Sequence, residues 1–371
     1  MKQLNFKTDV YTCPTFDEFI KEFSVGGGDV VVTIAPFVGY FDKGENKPFI
    51  LRYEDFGSGE PSDTMVEDMR RVLSGISYSR IIAVGGGAVI DTAKLLKLAN
   101  EPTLEDIYVN KAQPVCLKRL VAVPTTCGTG SEVTNISVMA FEKLNTKLGR
   151  NADELFADET VLITEAIKNL PYSVMMSTSI DALIHAVESY LSPKATAYTE
   201  IFSEAAVKMI LRSYMNIDEK GHNGAEAELE SLLIASDFAG IAFGYAGAAL
   251  VHACAMLFGC AYHVPHGEST YLFFTECLKF YEEKNPDGEK LVKLKDLIAG
   301  VLDTEPERAI EAMERLIDRL YPLKRLESFG MKSDECGSFA QSVYINQQRL
   351  IVNSFINVDE KDVEELFRRR Y

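Results

Sequence analysis

The sequence predicts an α/β domain built on a parallel sheet, followed by an all-helical domain. Three observations predict it. Apolar, β-branched runs alternate with helical patterns through the first half of the chain, as they do where crossover helices cover both faces of a parallel sheet. After Pro171 the β-branched runs give way to long amphipathic or apolar helical patterns. The length, 371 residues, is that of two domains, or of one large α/β domain with an elaboration.

Taken in order, 29–33 (DVVVT), 81–84 (IIAV) and 120–123 (LVAV) read as buried strands. Between them, 62–75 and 88–99 carry helical periodicity, with Ser62 and Asp63 as N-cap residues for the first. NISVMAF at 135–141 is of strand type, a polar stretch follows, and VLI at 161–163 completes the α/β part. Helices are predicted at 174–191, 197–215, 226–243, 290–302, 306–320, 333–352 and 360–369. The boundary falls near 171–175, which gives domains of 1–173 and 174–371.

Composition narrows the class. Hydrophobic residues make up 47% and charged residues 25%, ordinary for a globular chain with ample core. Against 38 basic residues stand 55 acidic ones, a formal charge of −17. Nucleic acids and anionic membranes need a basic footprint, so neither is expected as a partner. No apolar signal region follows the N-terminal lysine, and the seven cysteines lack CxxC spacing, so a cytoplasmic protein with reduced thiols is expected. Residues 239–261 are apolar enough to span a bilayer. They are rich in Ala and Gly, have His252 at their centre and lack flanking Lys or Arg, so a helix buried in the helical domain is predicted instead.

Two loops follow strands. IIAV runs into Gly85-Gly86-Gly87 and then a helical pattern, and LVAV runs into PTTCGTGSE at 124–132. Glycines between a strand and a helix let backbone N–H groups approach an anion, with the helix dipole adding positive potential. Hydroxyls at the carboxyl edge of an open α/β sheet suit a pyrophosphate and ribose. This is neither GxGxxG nor a P-loop, and a tight turn alone also explains three glycines.

The helical half carries metal-type residues. Asp181 and His185 are four apart and share a helix face. His252 and His266 are fourteen apart, about 21 Å along one straight helix. Gly259 and Pro265 between them allow the chain to end one helix and return. One carboxylate and three imidazoles suit Fe(II), Zn(II) or a similar divalent ion. Any one of these histidines alone is better explained as a hydrogen-bonded core residue.

GGGAVIDTAK, PTTCGTGSEVT, DALIHAVESY and HACAMLFGCAYHVPHG, in this order, resemble the iron-containing (group III) alcohol dehydrogenase family, with its dehydroquinate synthase-like architecture. The resemblance implies a dinucleotide-binding N-terminal domain and an active site in the cleft beside the helical domain. It implies metal ligation by Asp181, His185, His252 and His266, and NAD contacts from Gly85, Gly86, Gly87, Asp91, Thr125, Thr126 and Thr129. By family habit it implies a homodimer or larger homo-oligomer acting on a small molecule. RIIAVGGG, AGIAFG, YHVPHGE, YLFFTE and QQRL-VN are similar to the subgroup that interconverts 4-hydroxybutyrate and succinate semialdehyde.

Three positions depart from the family pattern. Ala88 replaces a serine of the glycine loop. Met256 stands where many members carry a histidine that relays protons. Ile34 ends a strand where NAD-specific members place an acid, so NADP stays open as the cofactor. His263 is therefore the candidate replacement for that relay, and Lys147 is also expected among the catalytic residues. Lys147, Arg150 and Arg349 are the cations available to a terminal carboxylate, and Phe243 is expected beside the substrate. A dehydroquinate synthase-type lyase, a dehydrogenase for another short-chain alcohol and a non-catalytic nucleotide-binding protein are the alternatives.

Overall fold

The computed structural model describes residues 2–144 and 146–371, and the chain divides into two compact units. Residues 6–170 form one, and residues 171–371 together with the first five residues form the other. The break falls at Leu170/Pro171, where proline cannot continue the preceding helical turn.

In the first unit β1 (Asp9–Cys13), β2 (Asp29–Thr33), β3 (Phe49–Arg52), β4 (Arg80–Gly85), β5 (Arg119–Pro124) and β8 (Glu159–Ile163) form one sheet in the order β1-β8-β5-β4-β2-β3. Every pairing in it is parallel. Alternate residues of a strand face opposite sides, and the core divides accordingly. Val30, Val32, Ile81, Ala83, Leu120 and Ala122 pack on one side. Val31, Ile82, Val84, Val121 and Val123 pack on the other. A strand buried on both faces is apolar at every position, which is why the three central strands stand out in the sequence.

The edge strands do not stand out. In β1 four of five residues are exposed, and β3 (FILR) is four residues long with one buried position. The stretch expected to be polar and irregular after 141 holds another strand, β7 (Thr146–Asn151), which pairs antiparallel with β6 (Ile136–Phe141). Its TKLGRN sequence has low intrinsic strand preference, and pairing with β6 overrides it.

The topology places the glycine loop. From β2 the chain crosses to β3 on one side, and from β4 it crosses to β5 on the other. The carboxyl ends of β2 and β4 therefore flank the point where strand order reverses, the position at which open α/β sheets bind ligands. Thr33 Oγ1 donates to the Val84 carbonyl at 2.9 Å and ties the two strand ends together.

The second unit is helical. Helix Tyr172–Leu191 packs against Ala197–Lys220, Leu229–Ala246 and His266–Lys284. The apolar run 239–261 is not one helix. It is cut between Leu229–Ala246 and Leu250–Tyr262 by Gly247, whose φ of 79° lies in the left-handed region. Asn353 Nδ2 donates to the carbonyls of Ala246 at 2.9 Å and Ala248 at 3.0 Å, and Ser192 Oγ donates to Ala246 at 2.8 Å. Those bonds satisfy carbonyls that the ended helix leaves open. The segment ending at Ala246 has the length and apolarity of a membrane span, and 61% of its apolar window is buried inside the protein, as a core helix is.

Gly85 is required by packing at the β4–helix junction, because a Cβ there would lie 2.5 Å from the Val89 side chain. Gly85→Ala is expected to destabilise the chain by about 1–3 kcal/mol, read as a lower urea unfolding midpoint.

Candidate metal centre and nucleotide loops

Asp181 and His185 lie one turn apart on helix Tyr172–Leu191, and Glu188 continues the same face. His252 sits in the first turn of helix Leu250–Tyr262, and His266 opens helix His266–Lys284. The reversal between these two helices occurs at His263, whose φ is 53°, with Pro265 capping the return. Gly259, proposed above as the break, lies inside the first helix. Its role is close approach: a Cβ there would meet Ser269 Oγ at 3.0 Å and the Val264 carbonyl at 3.2 Å.

One ligand atom each from Asp181, His185, His252 and His266 lies within 4.8 Å of all the others. His252 Nε2 is 3.0 Å from His185 Nε2 and 3.7 Å from Asp181 Oδ1, and His266 Nε2 is 3.8 Å from Asp181 Oδ1. The first three residues are buried and His266 is exposed, so the set is closed on one side and open on the other. Three imidazole nitrogens and a carboxylate oxygen with an open face fit a divalent ion that keeps a position for a further oxygen ligand.

The protonation of two donors favours this use, while at His252 burial is outweighed by Glu188 and Asp181, which raise its pKa. Burial lowers the His185 pKa to about 4 against the opposing pull of Asp181, so its ring is neutral at physiological pH. Burial works against the charged form of Asp181 too. The imidazoles of His185, His266 and His252 outweigh it and hold the carboxyl below its ordinary range. Thr270 Oγ1 donates to Asp181 Oδ1 at 3.0 Å and fixes its rotamer. Phe243 stacks on His185 with ring centres 4.4 Å apart, an apolar wall against the cluster.

Besides Thr270, two residues outside the predicted set shape the centre. Glu188 lies 2.6 Å from His252 Nδ1 and accepts from the N–H groups of Ala249 and Val251 at 2.9 and 2.7 Å. Gly267 lets the His266 helix touch helix Tyr172–Leu191, since a Cβ there would lie 2.2 Å from the Ser177 carbonyl oxygen. Glu188 was visible as the third member of the Asp181, His185 heptad face. Nothing in the sequence marks Thr270.

The other predicted residues are distributed as follows. His263 is exposed at the C-terminus of its helix and is not among the gathered donors. Lys147 forms an ion pair with Glu60. Arg150 donates to the carbonyls of Asn151 at 3.1 Å and Ala112 at 3.2 Å. Both cations lie on β7, in the first unit. Arg349, in helix Gln348–Ile351, makes no hydrogen bond or ion pair among the described residues. It opens to solvent, yet enough protein surrounds it that burial lowers its pKa. It lies close enough to His252 for its charge to disfavour the imidazolium, although burial and then Glu188 act more strongly on that ring.

The two loops of the first unit are joined. Thr125 N–H donates to the Gly85 carbonyl at 3.1 Å. Gly86 caps helix Gly87–Leu96 without a side chain, leaving the first N–H groups open to an anion. Gly87 faces Thr129, where a Cβ would approach to 2.9 Å. Thr126 and Thr129 are half-buried and Thr125 is buried. Asp91, expected among the cofactor contacts, is engaged by protein: Ser131 Oγ and the Val138 N–H, at 2.9 Å for the latter, both donate to it. Lys94, fully buried, reaches Ser131 Oγ at 2.9 Å and the Ile136 carbonyl at 2.5 Å. Glu132 lies beside this cluster with neither carboxylate oxygen hydrogen-bonded. Burial raises its pKa to about 7.

A family model described as iron-containing alcohol dehydrogenase matches residues 25–164, and one described as the Fe-containing alcohol dehydrogenase family, C-terminal, matches residues 175–371. The chain is 44% identical, over 375 aligned positions and all of both chains, to 4-hydroxybutyrate dehydrogenase of Clostridium kluyveri. It is 33% identical over 292 residues, 76% of this chain and 71% of the relative, to the probable alcohol dehydrogenase EutG of Escherichia coli. Among solved structures, sulfoacetaldehyde reductase from Bifidobacterium kashiwanohense in complex with NAD+ superposes with a TM-score of 0.87. It is 18% identical, covering 100% of this chain and 98% of that one, a likeness of fold.

Two outcomes are expected. Gly267→Ala drives the His266 helix off Ser177 and weakens Zn(II) retention by about tenfold or more in chelator competition. A carboxyl whose pKa is raised on folding is still protonated in the folded chain after its unfolded counterpart has ionised, so stability is lost as pH rises from 4.5 to about 7. Glu132→Gln abolishes that loss. Urea unfolding is expected to show the variant gaining up to about 3 kcal/mol on the wild type between about pH 5 and about pH 8.

Proposed function

The chain belongs to the iron-containing alcohol dehydrogenase family, and from that premise we propose that it interconverts 4-hydroxybutyrate and succinate semialdehyde with NAD. The observation that carries this reading is the convergence of Asp181, His185, His252 and His266 within 4.8 Å, three of them buried, with Phe243 stacked on His185. These four residues would hold the metal, Fe(II) or Zn(II). When bound, the metal supplies a Lewis acid for the alcohol or aldehyde oxygen, and NAD supplies the hydride acceptor.

The chain's own residues supply alignment and exclusion of water. Gly86, Gly87, Thr126 and Thr129 present N–H and hydroxyl donors for the pyrophosphate and ribose, while Asp91 holds the second loop through Ser131. Phe243 covers the His185 ring. Arg349 takes the substrate carboxylate, because Lys147 and Arg150 are occupied and Arg349 alone of the three cations has a guanidinium without a partner among the described residues. The carboxylate would be bound by charge-assisted hydrogen bonds, with an arginine fork matched to its two oxygens. We propose further a homodimer or larger homo-oligomer of cytoplasmic location, acting on a small molecule with no nucleic-acid or membrane partner. The charge of −17 supports the last point.

The test is oxidation of NADH by succinate semialdehyde with enzyme reconstituted anaerobically with Fe(II), beside a chelated control and an NADPH arm. Turnover that chelator abolishes is expected. No turnover on succinate semialdehyde, with fast reduction of unsubstituted aldehydes, would reject the four-carbon acid as substrate. Arg349→Ala is expected to raise KM for succinate semialdehyde by about 10–100-fold, the worth of a charge-assisted hydrogen bond, and to leave KM for butanal nearly unchanged.

A further inference from the structure

Three helices bring the four donors together, and one residue outside the donor set touches the structure at both of its constrained points. Glu188 is buried on helix Tyr172–Leu191, one turn beyond His185. Its Oε2 lies 2.6 Å from His252 Nδ1 and accepts from the Ala249 N–H at 2.9 Å, and its Oε1 accepts from the Val251 N–H at 2.7 Å. Ala249 is the N-cap of helix Leu250–Tyr262 and Val251 lies in its first turn, and the helix has no side-chain cap of its own. The same carboxylate therefore serves as the missing cap and as the partner of the imidazole in that turn.

Both Glu188 oxygens already accept backbone N–H groups, and Oε2 completes its acceptor set when the His252 Nδ1 beside it carries the hydrogen. That leaves Nε2 with its lone pair, and Nε2 is the atom 3.0 Å from His185 Nε2 and 3.7 Å from Asp181 Oδ1. We infer that Glu188 is a positioning residue of the metal site, which selects the ligating tautomer of His252 and fixes the helix turn that carries it. The partner of a ligating histidine orients the ring and makes it a better donor. The inference rests on the metal reading proposed above.

Glu188→Gln is nearly isosteric and cannot reproduce this pattern. Its single oxygen serves either His252 with Ala249 or Val251, and its amide then faces a backbone N–H or forces the other tautomer. The probe is Zn(II) alone, titrated into apoprotein against a chromophoric chelator. Glu188→Gln is expected to weaken Zn(II) binding by about 10–100-fold. On a His252→Ala background the same substitution is expected to cost nothing further, because its route to the metal has been removed. Wild-type Zn(II) affinity in Glu188→Gln would overturn the inference, as would losses that multiply in the double variant, the signature of a general structural role. Should Glu188→Gln fail to fold, long-range 1H–15N spectra of histidine-labelled wild-type protein with Zn(II) decide the matter. A His252 ring protonated at Nδ1 and ligated through Nε2 is expected, and ligation through Nδ1 would overturn it. Failure of the wild type itself to bind Zn(II) would instead strike the metal reading beneath the inference.

Discussion

Holding three imidazole nitrogens and a carboxylate oxygen within 4.8 Å is the constraint around which the helical unit is organised. Lone pairs turned toward one another in a buried space repel, and each buried polar group without a partner costs free energy. The structure answers with specific contacts behind each donor. Thr270 holds Asp181, Glu188 holds His252, and Phe243 lies flat on His185. His266 is brought in because Gly267 lets one helix backbone rest on another.

The break after Ala246 follows from the same constraint. A continuous helix from 229 to 262 would carry His252 along a straight axis. Gly247 ends the first helix in a left-handed conformation, and Asn353 and Ser192 satisfy the freed carbonyls of Ala246 and Ala248. Glu188 then restarts the second helix one turn from His252. Arg349 lies four residues before Asn353, so the segment that pins the break also carries the guanidinium whose charge reaches His252. Site geometry and helix termination are one problem here, solved by shared residues.

The first unit uses a buried ionic cluster in a comparable way. Asp91, Lys94 and Ser131 bind one another and the strand after the second loop, so the glycine loop and the hydroxyl-rich loop cannot move independently. Glu132 sits beside them without a hydrogen bond. Desolvation keeps its carboxyl protonated to about neutrality, close to the loops that would carry the negative charge of a dinucleotide.

The sequence by itself determined the central strands, the helix-rich second half, the glycine-rich and hydroxyl-rich loops that follow two strands, and all four converging donors. Each was legible for a local reason: a doubly buried strand is apolar at every position, ligand chemistry restricts residue type, and a helix face repeats at four. What only the tertiary structure decided depends on contacts between distant segments. β1, β3 and β7 exist because neighbours pair with them, despite sequences that are exposed, short or polar. Asp91 and Lys147 are spent on Ser131 and Glu60, partners 40 and 87 positions away, whereas Arg349 stays open. Glu188 and Thr270 act on the centre through hydrogen bonds across 64 and 89 positions. No spacing rule in a linear chain encodes such pairings, because hydrogen bonds and packing distances are set by where folding brings whole helices together.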